Sequence, residues 1–433
     1  MDVYRKITRR LVPFLFVCYA AAYLDRVNIG FAKLQLQSDL GFSDTVYGIG
    51  AGIFFVGYIL FEVPSNMVLH KVGARWWIAR IMVSWAIISG AMAFVQNETW
   101  FYVLRFLLGV AEAGFIPGVL LYLTQWFPAA RRGRVTAIFL AAIPAATIVG
   151  GPLSGWILGT FDGVGGFRGW QWVFLIEAIP SLVLGLVVLA RLDNSVDDAR
   201  WLTDEEKGVV RADLAAEDAA KEGGHGSLRA ALVSGRVWLL CGIYFTIALG
   251  IYLVSFWLPT IIKGSGVADP FTIGLLTAVP YVVAVVAMVA WSSHADRRGE
   301  RRWHTTIPCL VTAVGLVGTA LFLQNTALAV GSMVLVAAGV STAQAAFWSL
   351  PSAFLTGAGA AAGIALVNSI GNIGGAVATS LVGWLSDLTG STAASLYPFG
   401  IVLVIGGLLV LAVPRSVNDG APATDGEAVG SPM

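Results

Sequence analysis

Four charged residues stand inside apolar segments and are the first candidates for chemistry. Asp25 and Arg26 follow the run LVPFLFVCYAAA, and Arg105 and Glu112 lie in a later apolar stretch. A charge near the centre of a bilayer is costly, so a retained one faces a cavity or a partner. Guanidinium groups suit anions, because they can hold a carboxylate with two parallel hydrogen bonds. The alternative is that Asp25 and Arg105 form a purely structural ion pair.

Spacing assigns these side chains to helix faces. Arg105 and Glu112 are seven residues apart, close to two helical turns, so they share one face at different depths. Asp25 and Arg26 are adjacent, so their side chains point roughly 100° apart. One of them can face a cavity while the other turns toward a neighbouring helix.

Other polar side chains recur every four residues, which puts them on one side of a helix. The stripes are Tyr58, Glu62 and Asn66; Gln344 and Trp348; Asn368 and Asn372. Together with the four charges, they predict a polar cavity near the middle of a membrane. The asparagines could instead join two helices, and Trp348 could be an interfacial anchor.

The remaining ionisable residues of these segments lie closer to segment ends. For Glu62 and Glu177 we expect a packing or gating role rather than contact with a substrate. Arg80 and Lys33 are near enough to an interface for their charged ends to reach water.

Composition and residue types exclude several classes of protein. The chain has 433 residues, of which 57% are hydrophobic and only 12% charged, so lipid is its solvent. A net charge of +1 gives no indication of a nucleic-acid partner. The histidines fall in loops or at segment ends, and each cysteine stands alone in an apolar run. We therefore expect no enzyme activity, no cofactor and no metal site.

The apolar segments predict twelve membrane-spanning helices. Their approximate limits are 11–33, 45–69, 76–95, 100–124, 135–159, 171–190, 236–258, 271–291, 304–323, 328–350, 361–385 and 396–413. Lys and Arg concentrate in the loops on one side, and this bias predicts that both termini are cytoplasmic. The expected fold is an all-α polytopic membrane protein with two pseudo-symmetric bundles of six helices.

A single long polar interruption divides the spans six and six. We expect a first bundle over 1–190, a cytosolic central loop over 191–235, a second bundle over 236–414 and a disordered tail over 415–433. In the loop, Thr203 and Glu206 have the spacing of a helix capping box, and GGHGS is the expected hinge. An internal repeat supports the division. In a gapless alignment of LHKVGARWW with ADRRGERRW, Lys71, Gly73, Arg75 and Trp77 match Arg297, Gly299, Arg301 and Trp303.

Over almost its whole length the chain resembles the major facilitator superfamily, and within it the anion:cation symporter group of organic-anion permeases. The resemblance rests on LDRVNIGFA, EVPSNMVLHKVGARWWIAR, RFLLGVAEAGFIPG, RGWQWVFLIEAIPS and ALVNSIGNIGG. It implies that Arg26 binds the substrate carboxylate, that Arg105 organises the charges and meets substrate, and that Asp25 and Glu112 carry protons. It also implies that pocket-lining positions fall on Tyr23, Tyr58, Trp348 and Asn368, to which the polar stripes add Gln344 and Asn372.

The resemblance further implies a gating role for the repeated basic turns, at Lys71, Arg75, Asp296, Arg297 and Arg301. The sequence departs from the family at His70, where an aspartate is usual. Span five also lacks the amide typical of sugar-acid carriers and offers AAIPAATIVGG, which favours a smaller or more apolar acid.

The predicted function is import of a small organic carboxylate by proton-coupled symport through alternating access. The substrate class is a tartrate-like acid, an aromatic acid or a sugar acid, and protons are the coupling ions. An exporter or facilitator without proton coupling is the alternative. We expect a monomer in the bacterial inner membrane, because one chain of twelve spans encloses a complete pathway.

Overall fold

The structure, a computed structural model, describes residues 3–221, 233–354 and 358–413. The expected hinge at 223–227 and the expected tail at 415–433 lie outside these residues. Within the described ranges the chain is α-helical and contains no strand. The helices are α1 (Val3–Leu40), α2 (Asp44–Val72), α3 (Ala74–Ala91), α4 (Glu98–Glu112), α5 (Phe115–Thr124), α6 (Ala129–Leu140), α7 (Ala142–Thr160), α8 (Gly169–Arg191), α9 (Asp204–Lys221), α10 (Gly235–Gly264), α11 (Pro270–Arg298), α12 (Arg302–Leu321), α13 (Thr326–Phe347), α14 (Ser349–Phe354), α15 (Ala358–Thr389) and α16 (Thr392–Leu411).

Twelve helical stretches of the described chain are long and apolar enough to cross a membrane, as predicted. Three of them are broken: α4 continues into α5, α6 into α7, and α13 into α14. The helices form two bundles, α1–α8 without the connecting α9, and α10–α16. Several run beyond the predicted spans, because their polar end turns continue the same hydrogen-bond ladder outside the apolar stretch.

The internal repeat corresponds to a repeated helix end. Gly73 ends α2 and Gly299 ends α11, with φ angles of +92° and +63° that favour glycine. Each glycine N–H donates to the carbonyl group four residues earlier, that of Leu69 or Ala295. The matched glycine spacing therefore reflects the same helix-terminating turn in both halves.

The two halves touch backbone to backbone at the end that carries the α1–α2 turn, called here the closed face. A Cβ atom on Gly383 would lie 2.2 Å from the Asp44 carbonyl oxygen. One on Gly274 would lie 2.3 Å from the carbonyl oxygen of Gly151. Only glycine permits approaches of this kind between helices.

Polar contacts also join the halves at the closed face. The Asp387 carboxylate accepts hydrogen bonds from the backbone N–H groups of Asp44 (3.2 Å) and Thr45 (2.7 Å). These groups begin α2, where the helix dipole favours a negative charge. The Lys263 ammonium group donates to the Leu34 carbonyl oxygen at 2.6 Å. Closure of this face is therefore held by charge as well as by packing.

The expectation that the Lys33 ammonium reaches water is wrong. Lys33 is only 1% exposed. Its Nζ lies 2.8 Å from Asp44 Oδ1 and 3.6 Å from the centre of the Trp257 ring. Trp257 belongs to the second half, which covers Lys33 from across the interface. Nearness to the end of a span could not reveal that cover.

The opposite end of the molecule, called here the basic face, carries α9. Lys6 Nζ lies 2.7 Å from Glu206 Oε2, and Arg132 Nη2 lies 3.1 Å from Glu217 Oε1. The predicted capping box is present: the Glu206 N–H donates to Thr203 Oγ1 (3.2 Å), and the Thr203 N–H donates to Glu206 Oε2 (2.9 Å). The hydrogen bond from Lys6 holds the pKa of Glu206 below its usual value. The central segment thus includes a helix docked on the first half.

Gly383→Ala is expected to open the closed face, because its methyl group collides with the Asp44 carbonyl oxygen. The reporter is Ala51→Cys in purified protein, since Ala51 is 0% exposed and the native cysteines are buried. Overpacking of about 1–3 kcal/mol predicts maleimide labelling that is roughly 5- to 150-fold faster. Gly331→Ala is the matched control, because nothing lies within 4 Å of its added Cβ. Equal labelling rates in the two variants would contradict the assignment of this contact to closure.

Candidate functional site

Arg26 and Glu112 form a buried ion pair between α1 and α4. Arg26 Nε donates to Glu112 Oε1 at 2.9 Å, and Arg26 Nη2 contacts the same oxygen. The two residues are 6% and 3% exposed. The Arg26 guanidinium also lies 5.4 Å from the ring centres of both Phe54 and Tyr58 and 5.9 Å from that of Tyr23. Aromatic faces and one carboxylate therefore enclose this cation.

A break in the fourth span sets the position of Glu112. Glu112 is the last residue of α4, and Gly114, with φ of +88°, separates α4 from α5. The Ser65 hydroxyl of α2 holds the break by donating to the Ala113 carbonyl oxygen at 2.6 Å. A Cβ on Gly109 would lie 2.0 Å from the Phe54 carbonyl oxygen, so glycine lets α4 approach α2 closely. The aromatic residues of α2 are thereby brought beside the ion pair.

Arg105 is a fully buried cation without a carboxylate partner. It is 0% exposed, and its Nε donates to the Gly50 carbonyl oxygen at 3.1 Å. Its two terminal nitrogens have no hydrogen-bond partner, and the guanidinium lies 5.1 Å from the Phe54 ring centre. Buried donors left unpaired are costly, and more so when they carry charge. The group is thus suited to receive an anion.

Asp25 turns away from both arginines. Its carboxylate accepts hydrogen bonds from Trp85 Nε1 (3.2 Å) and Ser89 Oγ (3.0 Å) of α3, and from Ser181 Oγ of α8. The alternative of a structural Asp25–Arg105 pair is therefore wrong. The expected divergence of Asp25 from Arg26 is confirmed, because Arg26 faces α4 while Asp25 faces α3 and α8.

The second half contributes uncharged polar groups. Gln344 Nε2 donates to the Tyr244 hydroxyl at 3.5 Å, and the Trp348 ring packs edge-on 4.9 Å from the Tyr244 ring. Asn372 Oδ1 accepts a hydrogen bond from the Tyr252 hydroxyl at 3.1 Å. This bond links α15 to α10, in line with the alternative that the asparagines join two helices. Three of the four predicted second-half positions, Gln344, Trp348 and Asn372, therefore contact tyrosines of α10. Asn368, the fourth, is half-buried one helical turn earlier on α15.

Sequence reasoning missed the aromatic face of α10. The Tyr252 ring lies 4.5 Å from the ring of Phe55 in the first half. Three residues later, Ser255 Oγ lies 3.4 Å from the Tyr23 hydroxyl oxygen. Tyr244 and Tyr252 are eight residues apart, a spacing that returns to one helix face and could have revealed them. The two halves therefore meet at the site through aromatic and hydroxyl groups.

Two of the predicted gating residues, Arg75 and Arg301, make hydrogen bonds that do not cross between the halves. The Arg75 backbone N–H donates to Asn194 Oδ1 at 3.0 Å, and Arg301 Nη1 donates to the Ser349 carbonyl oxygen at 2.9 Å. Lys71 and Arg297 are exposed. The side chain of Asp296 lies outside the described residues. A gating role for these positions stays a prediction.

Comparison with known proteins decides the family. A model described as the Major Facilitator Superfamily matches residues 15–379. The chain belongs to the Major Facilitator Superfamily. It is thus a transporter in family and in fold.

Named members of the superfamily match almost the full chain. The "Putative metabolite transport protein NicT" of Pseudomonas putida is 50% identical over 415 residues, which cover 96% of this chain and 95% of the relative. A "Putative tartrate transporter" of Agrobacterium vitis is 51% identical over 418 residues, which cover 96% and 92%. A solved bacterial homologue of the lysosomal transporter Spinster superposes with a TM-score of 0.77 at 15% identity, covering 95% of this chain and 97% of that chain. At that identity the likeness concerns the fold alone.

In this superfamily member, the Arg26–Glu112 pair is expected to contribute strongly to stability. Arg26→Gln and Glu112→Gln each leave one buried charge without its partner, which lowers stability by about 3–5 kcal/mol. The double variant leaves no charge of the pair without a partner, so its loss of stability should be about 1–3 kcal/mol smaller than the sum of the two single losses. Melting temperatures of the four proteins in one detergent test this, with the exposed Glu98→Gln as the control for loss of a carboxylate. Strictly additive losses would show that the two groups do not interact.

Proposed function

We propose that this chain imports a small organic carboxylate together with protons, by alternating access between its two six-helix halves. The observation that carries the proposal is the buried Arg105 guanidinium, whose two terminal nitrogens have no partner. A carboxylate satisfies both nitrogens with two parallel hydrogen bonds and neutralises the charge. The tartrate and metabolite transporters among the relatives support the same class of substrate.

Arg26 supplies a second cation whose availability depends on protonation. While Glu112 is ionised, Arg26 is neutralised by it and is a weak anion receptor. A proton on Glu112 removes that competition and leaves Arg26 for a substrate carboxylate. Proton and anion then enter the site together. Because their charges cancel, the loaded site passes through the state that is closed to both sides at a lower electrostatic cost. This is the link that makes the transport a symport.

The surroundings of Tyr23 support a compact substrate. Tyr23 packs with Val27 and with Ala146 of α7, beside Ile143. This wall comes from the fifth span, which lacks an amide. It offers contact to carbon atoms rather than hydrogen bonds to hydroxyl groups, which favours a small or partly apolar acid over a sugar acid.

Orientation and direction belong to the proposal as well. With both termini in the cytoplasm, the basic face is cytoplasmic and the closed face is external. The described contacts between the halves at the closed face then correspond to a carrier that is shut toward the outside. An organic-anion exporter or facilitator is the second candidate, and the 41% identical quinolone resistance transporter of Acinetobacter baumannii favours keeping it in the test.

Loss of the two parallel hydrogen bonds that Arg105 can donate to a carboxylate is expected to reduce anion uptake strongly. The probe is labelled L-tartrate in proteoliposomes with an acidic exterior. Hydrogen bonds to a charged group contribute about 1.5–3 kcal/mol, so Arg105→Gln should lower uptake at least about 10-fold. Arg105→Lys keeps the charge without the fork and should recover only part of the activity. Arg168→Gln is the control, because Arg168 lies half-exposed between Asp39 and Asp162. Normal uptake by Arg105→Gln would contradict the assignment of the anion site to Arg105.

Glu112→Gln is expected to separate exchange from accumulation. It imitates the protonated acid, so tartrate counterflow without a gradient should persist, while accumulation driven by a pH gradient should fall to the equilibrium level. The control is wild-type protein with a protonophore, which should show the same pattern. Gradient-driven accumulation by Glu112→Gln would assign the proton to another group. Wild-type transport that ignores the gradient would favour the facilitator.

A further inference from the structure

Glu177 is a buried acid that the proposed function leaves without a role. It lies on α8 between α1 and α7 and is 1% exposed. Its Oε1 accepts a hydrogen bond from Ser154 Oγ of α7 at 2.6 Å. Its Oε2 has no hydrogen-bond partner. One oxygen of a buried carboxyl group is thus unsatisfied.

Asn28 of α1 supplies a second unsatisfied group at the same place. Asn28 is 1% exposed and lies beside the Glu177 carboxyl group. Neither its Oδ1 nor its Nδ2 has a hydrogen-bond partner at normal geometry, although the amide lies close enough to the Glu177 carboxyl group for a weaker contact. Buried polar atoms in proteins are nearly always paired, so three unpaired atoms at one position require an explanation. A bound cation accounts for the two oxygens.

The charge around Glu177 also calls for a cation. Asp25 lies on α1 three residues before Asn28, and its negative charge is near enough to oppose ionisation of Glu177. Among the described residues, neither Asp25 nor Glu177 forms an ion pair. Asp25 accepts three hydrogen bonds, whereas Glu177 accepts one of normal geometry. Two ionised carboxylates in this apolar setting are too costly, and Glu177 is the one to be neutralised.

We propose that Glu177, Asn28 and Ser154 form a binding site for a small monovalent cation, a proton or a sodium ion, apart from the arginines. A proton on Glu177 Oε2 turns that oxygen into a donor for Asn28 Oδ1. A sodium ion takes the same oxygens, together with Ser154 Oγ, as ligands. The site rests on the proposed function only in that its cation accompanies the transported anion; occupancy itself requires no substrate.

The position of Ser154 connects this site to the contact between the halves. Ser154 lies on α7 between Gly151 and Gly155. A Cβ on Gly155 would lie 2.3 Å from the Pro270 carbonyl oxygen, and one on Gly151 2.7 Å from that of Gly274, both on α11. A change in the Ser154–Glu177 hydrogen bond therefore acts on the helix that presses against the second half. Cation occupancy is thereby placed to influence opening of the closed face.

The test is infrared spectroscopy of purified protein in nanodiscs, in sodium-free buffer at neutral pH and without substrate. If the cation is a proton, wild-type protein has a carbonyl band of a protonated carboxylic acid that Glu177→Gln lacks and that the exposed-acid control Glu98→Gln retains. Asn28→Ala keeps the band but shifts its frequency, because the acid loses its acceptor. This second variant serves if Glu177→Gln does not fold.

The sodium arm compares melting temperatures in NaCl and choline chloride. If the cation is sodium, NaCl removes the band or raises the melting temperature of wild-type protein, and does neither in Glu177→Gln. Spectra that are the same in wild type and Glu177→Gln, together with equal responses to NaCl, overturn the site. An unshifted band in Asn28→Ala, with no specific sodium response, overturns it as well. Since neither arm contains substrate, a failure of the cation site is separate from a failure of carboxylate transport.

Discussion

A buried charge in a membrane protein must be balanced nearby, and this constraint organises the first half of the molecule. Arg26 is balanced by Glu112 through a direct contact. Asp25 is balanced by three hydrogen-bond donors and no cation. Arg105 has a single carbonyl oxygen and an aromatic ring. The degree of balance therefore differs from one charge to the next, and a group that is poorly balanced is one that a ligand can stabilise.

Glycine determines where these charges come to lie. Gly109 lets α4 touch α2, and Gly114 breaks the fourth span directly after Glu112. The same residue type at Gly48 and Gly383 lets α2 touch α15 in the second half. The helix α2 therefore contacts the charged site with one face and the second half of the molecule with another. Because these backbone contacts are closely packed, a displacement at one face of α2 is transmitted to the other face.

Much of this arrangement follows from the sequence, and the remainder depends on packing between helices. Hydropathy predicted the spans, and the matched glycine spacing predicted a repeated turn that the structure shows as the helix ends at Gly73 and Gly299. Periodicity showed that Asp25 and Arg26 diverge, but it could not show which neighbouring helix each would meet. For the same reason the sequence could not exclude an Asp25–Arg105 ion pair, and it left Lys33 at an interface. The aromatic face at Tyr252 carries no charge, so the search for costly residues passed over it.

The position of Arg105 gives a reason for linking anion binding to closure. Its Nε donates to the Gly50 carbonyl oxygen, two residues from Gly48 on α2. One turn earlier, the Tyr47 hydroxyl donates to the Phe256 carbonyl oxygen of α10 at 2.9 Å, and α2 begins under the Asp387 carboxylate of α15. Pairing of the guanidinium with an anion would alter its hydrogen bond to a helix whose first two turns form part of the closed face. The proposed anion at Arg105 and the contact between the halves would thus act on the same backbone. Coupling between them needs no long pathway, because the two sites are separated by less than two helical turns.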